Sequence, residues 1–304
     1  MVLVYAHSDF ARHVTPPGHP ERVERYAAVL AALDGLDVGW RDCPLACEAD
    51  LLRCHPAAYV AAVQRAVPQQ GWAGMDGDTF LSPGSWDAAL RAVGGACAAV
   101  DAVMGGGRAF VACRPPGHHA ETATAMGFCF FGTVAIAARH ALDVQGLSRV
   151  AVLDFDVHHG NGTQDLLWDE GRAMFVSSHQ SPLYPGTGAD SEVGAQGQIV
   201  NLPLRAGSGG AAMRAAWGPA LDRVEKFAPQ MILISAGFDA HRDDPLAGLT
   251  WVTADYVWLT RAICDLADRV CGGRVVSCLE GGYDLPALTT SVAAHVTELG
   301  KTGR

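Results

Sequence analysis

The feature that most constrains the fold is a recurring pattern: a short, largely apolar run, a polar tip, then a helical stretch. Residues 109–113, 150–154, 174–178, 231–235 and 275–279 are such runs, and residues 2–5 make another at the start of the chain. Helical patterns fill residues 132–142, 209–227, 254–270 and 285–299. Strands that are apolar throughout and alternate with helices specify an α/β protein with a parallel sheet covered on both faces, since parallel strands need helical crossovers. Right-handed crossovers then collect the polar tips at the carboxyl ends of the strands.

The first half of the chain is less regular. The opening strand runs into a polar loop, residues 6–20, that carries His7, Asp9, His13 and His19. A helix is expected from Pro20, with Pro20 and Glu21 in its first turn, where both are favoured. A second helix is expected over residues 57–67, and residues 68–83, rich in Gly, Asp and Pro, read as a surface loop. The Ala-rich stretch 85–104 reads as a long helix whose Gly94-Gly95 pair lowers propensity but permits close packing. Nothing resembles a linker, an internal repeat or a low-complexity segment, so residues 1–304 are expected to form one domain.

Composition narrows the function classes. A 49% apolar and 18% charged chain suits a large packed core. A formal charge of −10 argues against a nucleic-acid backbone as direct ligand. The nine cysteines include no C-x-x-C pair, and Cys113, Cys129 and Cys278 lie in apolar runs. They read as reduced, mostly buried thiols of a cytoplasmic protein. The N-terminus lacks a signal peptide's basic start, and no apolar run approaches the roughly 18 residues of a membrane span.

The richest tip is residues 150–163, with Asp154, Asp156, His158, His159 and Asn161 followed or interrupted by Gly160 and Gly162. Asp156 and His158 are two apart and would share one side of an extended chain. With Asp239, beyond the 231–235 run, they make a donor set of two carboxylates and one imidazole, which suits a catalytic zinc with an open fourth position. The same donors accept Fe²⁺. His118 and His119 follow the stiff Pro115-Pro116-Gly117 segment, and adjacent imidazoles suit proton handling near neutral pH. Tyr283 follows Gly281-Gly282, where a phenol can swing over a pocket and donate to a developing oxyanion. Each feature alone also reads as a turn, a cap or a packed side chain; together, on successive strand tips, they read as one site.

The motifs R-P-P-G-H-H-A, G-F-C-F-F, D-F-D-V-H-H-G-N-G-T-Q, Y-P-G-T-G, A-G-F-D-A and E-G-G-Y resemble, in this order, those of the zinc-dependent histone deacetylase family. That superfamily includes acetoin-utilisation proteins and acetylpolyamine amidohydrolases, and the likeness covers residues 17–283. It implies the single-domain arginase–deacetylase fold, a central parallel sheet of about eight strands with helices on both faces. It implies Asp156, His158 and Asp239 as zinc ligands and His118 and His119 as the tandem histidines. Asp154 would orient His118, with Asn161 where a residue orients His119, and Tyr283 would polarise the acetyl carbonyl. Gly127, Phe128 and Tyr184 resemble the walls of an acyl-lysine tunnel, with Leu246 at its rim. Asp154, Asp156, His158, Ser177 and Ser178 match the segment that holds a structural monovalent cation, usually K⁺. Asn161, where some members have Asp, resembles the class II branch, and an amide stabilises a cationic His119 less than a carboxylate would.

The implied reaction is hydrolysis of an N-acyl amide, with His119 as proton carrier, His118 as electrostatic support and Tyr283 as oxyanion donor. The implied partner is an acetyl-lysine peptide or a small acetylated amine, with no direct nucleic acid and no membrane; a homo-oligomer is compatible with the sequence. Polyamine-selective class II relatives carry Glu where this chain has Leu246, so the neutral rim favours acyl-lysine or a broad amide. The alternative, an acetylpolyamine substrate, draws on the acidic Asp76-Gly-Asp78 loop. A ureohydrolase with two manganese ions would need an Asp-rich pattern that residues 238–244 lack, and a non-enzymatic sensor sits poorly with an intact motif set. His159 receives no role beyond packing.

Overall fold

The computed structural model describes residues 1–301. After β1 (Val2–Ala6) come a single 3-10 segment (Ser8–Arg12), α1 (Val23–Leu33) and β2 (Val38–Asp42). α2 (Glu48–Leu51) and α3 (Ala57–Ala66) precede a two-residue antiparallel ribbon of β3 (Ala73–Gly74) and β4 (Phe80–Leu81). α4 (Ser85–Val103) leads into the alternating part. There β5 (Arg108–Val111), α5 (Thr133–Asp143), β6 (Val150–Asp154) and α6 (Asn161–Leu167) are followed by β7 (Ala173–Gln180) and β8 (Ile199–Leu204). α7 (Gly210–Phe227), β9 (Ile232–Ala236), α8 (Thr253–Cys271), β10 (Val275–Leu279) and α9 (Leu285–Leu299) complete the fold.

Eight strands form one parallel sheet in the order β2-β1-β5-β10-β9-β6-β7-β8. Every residue of β5, β6, β7, β9 and β10 is buried, which requires cover on both faces and explains why these strands are largely apolar, with polar residues mainly toward their carboxyl ends. One helical layer runs α1, α9, α8, α7 and the other α4, α5, α6, each packed on the next. A smaller apolar cluster, with Leu51, Tyr59, Val60, Leu81, Phe130, Phe131 and Ile136, seals α2 and α3 against α4 and α5. Among the described residues no helix is long and apolar enough to cross a membrane.

The six expected strands are present, and the two edge strands, β2 and β8, are additional. β2 carries Gly39, Arg41 and Asp42, and β8 carries Asn201 and Pro203, so neither reads as an apolar run. A strand with an unpaired edge tolerates such residues. The first helix starts at Val23, not at Pro20. Glu21 is withdrawn from its first turn because its carboxylate is fully buried between Arg25 at 2.9 Å and Arg114 at 2.7 Å. Residues 68–83 are more than a surface loop, since the ribbon buries Thr79 and Leu81. Gly94 and Gly95 do permit close packing: a side chain there would collide with the backbone of Pro44 and with Cys43.

The four central strands, β5-β10-β9-β6, are adjacent in the sheet although they span most of the chain. The loops at their carboxyl ends therefore meet, and they are the loops that carry His118 and His119, Tyr283, Asp239, and Asp156 with His158.

Candidate active site

Asp156, His158 and Asp239 are buried, and their donor atoms all lie within 4.8 Å of one another. His158 Nδ1 is 3.1 Å from Asp156 Oδ1 and 3.2 Å from Asp239 Oδ2. The two-residue spacing works by a different route from the one expected. β6 ends at Asp154, and a turn, in which Asp156 Oδ1 accepts the His158 N–H at 2.9 Å, folds both side chains inward. The outer oxygens are held by backbone: Asp239 Oδ1 accepts from Val157 N at 2.9 Å and Asp156 Oδ2 from Gly281 N at 2.8 Å. Asp239 Oδ2 is buried with no hydrogen-bond donor. Two buried carboxylates this close cannot both be charged without a cation between them. Burial and Asp156 push Asp239 up to about 7, and the two carboxylates, against burial, push His158 up to about 10. A divalent cation fits this donor set, because it would take the place of the shared proton and satisfy the orphaned oxygen.

Glycine makes the room. A Cβ on Gly281 would collide with Asp239 Oδ2 and crowd Asp156 Oδ2, and one on Gly237 would collide with Asp156. Gly281→Ala is therefore expected to weaken divalent-metal affinity by about 10–100-fold, the loss typical when groups that orient ligands are disturbed. Competition with a chromogenic chelator would measure it, and an unchanged affinity would remove this role for the glycine.

The two histidines are set apart electrically by their partners. His118 Nδ1 donates to Asp154 Oδ2 at 3.0 Å, and its backbone N–H and that of Gly117 are bound by the Glu280 carboxylate. Burial opposes charge on His118, but Asp156 and Asp154 outweigh it and hold its pKa well above the ordinary value. His119 Nδ1 lies 2.7 Å from Asn161 Oδ1. The amide orientation follows from Asn161 Nδ2, which donates to Glu121 Oε1 at 2.8 Å. His119 Nδ1 must then carry a proton, which leaves Nε2 as its basic nitrogen. Burial, the adjacent His118 ring at 4.0 Å and His158 depress its pKa well below the ordinary value.

A cleft of about 380 Å³ opens above these groups. Gly127, Phe128, Leu183, Tyr184, Leu246 and Tyr283 line it, with His119 and His158 at its floor and His19 and Asp78 at its mouth. All four expected wall and rim residues are thus present. Phe128 has a φ of +68°, a rare conformation for a side-chain-bearing residue, and its N–H is held by Thr79 Oγ1 at 3.0 Å. Of the expected cation segment, Asp154 and Ser177 are register partners on β6 and β7, and Ser178 Oγ is buried without a partner. His159 packs against His179 and bonds Thr187 and Gln164, and burial pushes its pKa down to about 3.

Several contributors lay outside the sequence reading. Arg25 donates to Gly282 O at 2.7 Å, and its guanidinium lies 4.9 Å from the Tyr283 ring centre. Glu21 anchors both Arg25 and Arg114, and Arg114 in turn binds the carbonyls of Phe10 and His13. Asp244 Oδ2 accepts the Tyr283 N–H at 2.7 Å. The tip of β10 is therefore held from below by an arginine and from the side by an aspartate. Apart from Arg114, which opens the R-P-P-G-H-H-A motif, the only signal in the sequence was their charge, and nothing in their spacing linked them to Tyr283.

Hydrolytic groups gathered at the carboxyl edge of a parallel α/β sheet, under a narrow cleft, are the architecture of an amidohydrolase. The family described as Histone deacetylase domain matches residues 19–299, and the chain belongs to that family. It is 40% identical over 317 residues to a chloroplastic histone deacetylase 14 of Arabidopsis thaliana, covering 96% of this chain and 75% of the relative. It is 39% identical to a histone deacetylase-like amidohydrolase of Pseudomonas aeruginosa, covering 89% of this chain and 74% of that one. Among solved structures, the HDA15 HD domain superposes with a TM-score of 0.91 at 32% identity, covering 99% of this chain and 91% of the other. An acetylpolyamine aminohydrolase from Burkholderia pseudomallei superposes with a TM-score of 0.87 at 30% identity, covering 99% of both chains.

Proposed function

We propose that this hydrolase is a zinc-dependent deacetylase of acetyl-lysine in peptides or proteins, or of a broad set of N-acetyl amines. The observation that carries the reading is the convergence of Asp156 Oδ1, His158 Nδ1 and Asp239 Oδ2 around His158, which lines the cleft together with His119, whose ring is 5.8 Å from that of His158. These three residues would hold Zn²⁺ or Fe²⁺, which would supply Lewis acidity toward an amide carbonyl and toward water.

The remaining steps belong to the chain. His119 Nε2 takes the proton of the attacking water and passes it to the amide nitrogen as the C–N bond breaks, giving acetate and a free amine. Cationic His118 helps keep His119 neutral before the reaction. Tyr283 Oη donates to the carbonyl oxygen as that oxygen becomes anionic. Burial, only partly offset by Arg25, holds the Tyr283 phenol well above its ordinary pKa, so it remains a donor at neutral pH. K⁺ would sit among Asp154, Asp156, His158, Ser177 and Ser178, and the unpartnered Ser178 hydroxyl supports that assignment. A cytoplasmic location agrees with nine cysteines that are all unpaired.

Phe128, Leu183 and Tyr184 offer an apolar channel suited to the four-carbon stem of lysine, and Leu246 leaves the rim neutral. Acetylpolyamines are the second reading, favoured by Asp76 and Asp78, which place acid near the mouth for a distal ammonium. Comparing kcat/KM for acetyl-lysine peptides, acetylputrescine, acetylcadaverine and acetylspermidine separates the two. A preference for the peptides by more than tenfold supports the first reading, and a preference for a polyamine replaces it with the second.

The identity of residue 161 should be readable in the pH profile. Asn161→Asp puts a negative charge on His119 Nδ1–H and raises the pKa of the ring. The base form then requires higher pH, so the acid limb of kcat/KM is expected to move upward. A limb that stays in place would mean that another group sets it.

A further inference from the structure

A second cluster of ligand-type side chains lies away from the cleft. α5 runs from the site end of the sheet back toward its amino edge, where its last turn carries His140. Cys97, on the facing helix α4, and Asp50, on α2, complete the group, and their donor atoms all lie within 4.8 Å of one another. α2, α4 and α5 pack on each other there. His140 has a side chain only 9% exposed, and its Nε2 is bound to Asp101 Oδ1 at 2.7 Å. A carboxylate on Nε2 fixes the proton there and leaves Nδ1 as a lone pair. That Nδ1 is buried with no hydrogen-bond partner. It faces Asp50 Oδ1 at 4.0 Å. Asp50 Oδ2 is occupied, accepting the Cys47 N–H at 3.0 Å and the Cys47 thiol at 3.1 Å, so Oδ1 is the oxygen turned to the cluster.

We propose that Asp50, Cys97 and His140 form a second divalent-cation site, suited to Zn²⁺ and other borderline cations, that ties α2 to the α4–α5 pair. Three observations carry it. The donor set of one thiol, one imidazole and one carboxylate matches that class of cation. Asp101 orients His140 as an outer carboxylate commonly orients a ligating histidine. The unpartnered Nδ1 is a buried polar atom that a cation would satisfy. Asp50, with its side chain 16% exposed, is the most solvent-accessible of the three. Arg53, whose Nε stands 3.8 Å from Asp50 Oδ1 and is buried without a hydrogen-bond partner, is the competing cation that a bound metal would displace from that oxygen. Binding releases the Cys97 thiol proton to solvent and leaves a thiolate on the metal, so affinity rises with pH.

Co²⁺ titration of the purified full-length protein tests this without relying on activity. The cleft triad contains no sulfur, so a thiolate-to-Co²⁺ charge-transfer band in the near ultraviolet reports the second site alone. The expected result is a band that saturates at one equivalent of thiolate-bound Co²⁺, is lost in Cys97→Ser and survives in Cys47→Ser and Asp156→Ala. Asp101→Asn, which keeps the thiol but disturbs the His140 tautomer, is expected to lower the affinity read from the band about 10–100-fold. Far-ultraviolet circular dichroism checks that each variant is folded, and His140→Gln replaces Cys97→Ser if the latter is not. Deacetylation by Cys97→Ser is expected to match the parent protein. No band in the parent protein overturns the proposal. So does a band that survives both Cys97→Ser and His140→Gln, or one lost with Cys47→Ser alone, which would be an adventitious surface thiol.

Discussion

Tyr283→Phe is expected to lower kcat by about 10²–10³-fold, the usual cost of removing one oxyanion donor. The ring itself should stay in place. It is stacked under the Arg25 guanidinium at 4.9 Å, meets Phe128 edge-on at 5.9 Å, and its backbone is tied to Asp244. Only the hydroxyl is lost, and its bond strengthens as negative charge develops on the carbonyl oxygen, so KM should change little. Steady-state kinetics on an acetyl-lysine peptide measure both constants. An unchanged kcat would remove Tyr283 from the reaction.

His119→Ala is expected to lower kcat by roughly 10²–10⁴-fold, the range for a lost general acid–base group. The case rests on tautomer and charge. Asn161 fixes the proton on Nδ1, so Nε2 would be the working nitrogen, and burial with His118 beside it disfavours the charged ring. His118→Ala should cost less, since His118 is locked to Asp154 and would act on the reaction only through its charge. The order matters more than either magnitude. If His118→Ala were the more damaging change, the two roles would have to be exchanged.

The parts of this site that could be read from sequence are those that combine unusual residue types on one short tip. Asp154, Asp156, His158 and Asn161 crowd into residues 150–163, and His118-His119 and Gly281-Gly282-Tyr283 are distinctive by themselves. The reasons, however, were partly different. Asp156 and His158 converge through a turn after β6 rather than by strand alternation. Gly281 is small because two carboxylates press on it, in addition to any freedom it gives Tyr283. The support of the tip was not legible. Arg25 and Glu21 look like ordinary charges in a helix and a loop, and only the fold brings Arg25 within reach of Gly282, 257 residues away. The same limit hid β2 and β8, whose Arg, Asp, Asn and Pro are acceptable only because those strands lie at the sheet edges.

A metal held by Asp156, His158 and Asp239 is expected to be required for amide hydrolysis. The direct measurement is acetate release from an acetyl-lysine peptide while Zn²⁺ is returned to chelator-stripped protein, run in parallel on Asp239→Ala. The predicted result is negligible release without metal, recovery that saturates as zinc is added, and silence from Asp239→Ala at every zinc concentration. Full activity in the stripped protein, or zinc-dependent recovery in Asp239→Ala equal to that of the parent chain, would contradict it.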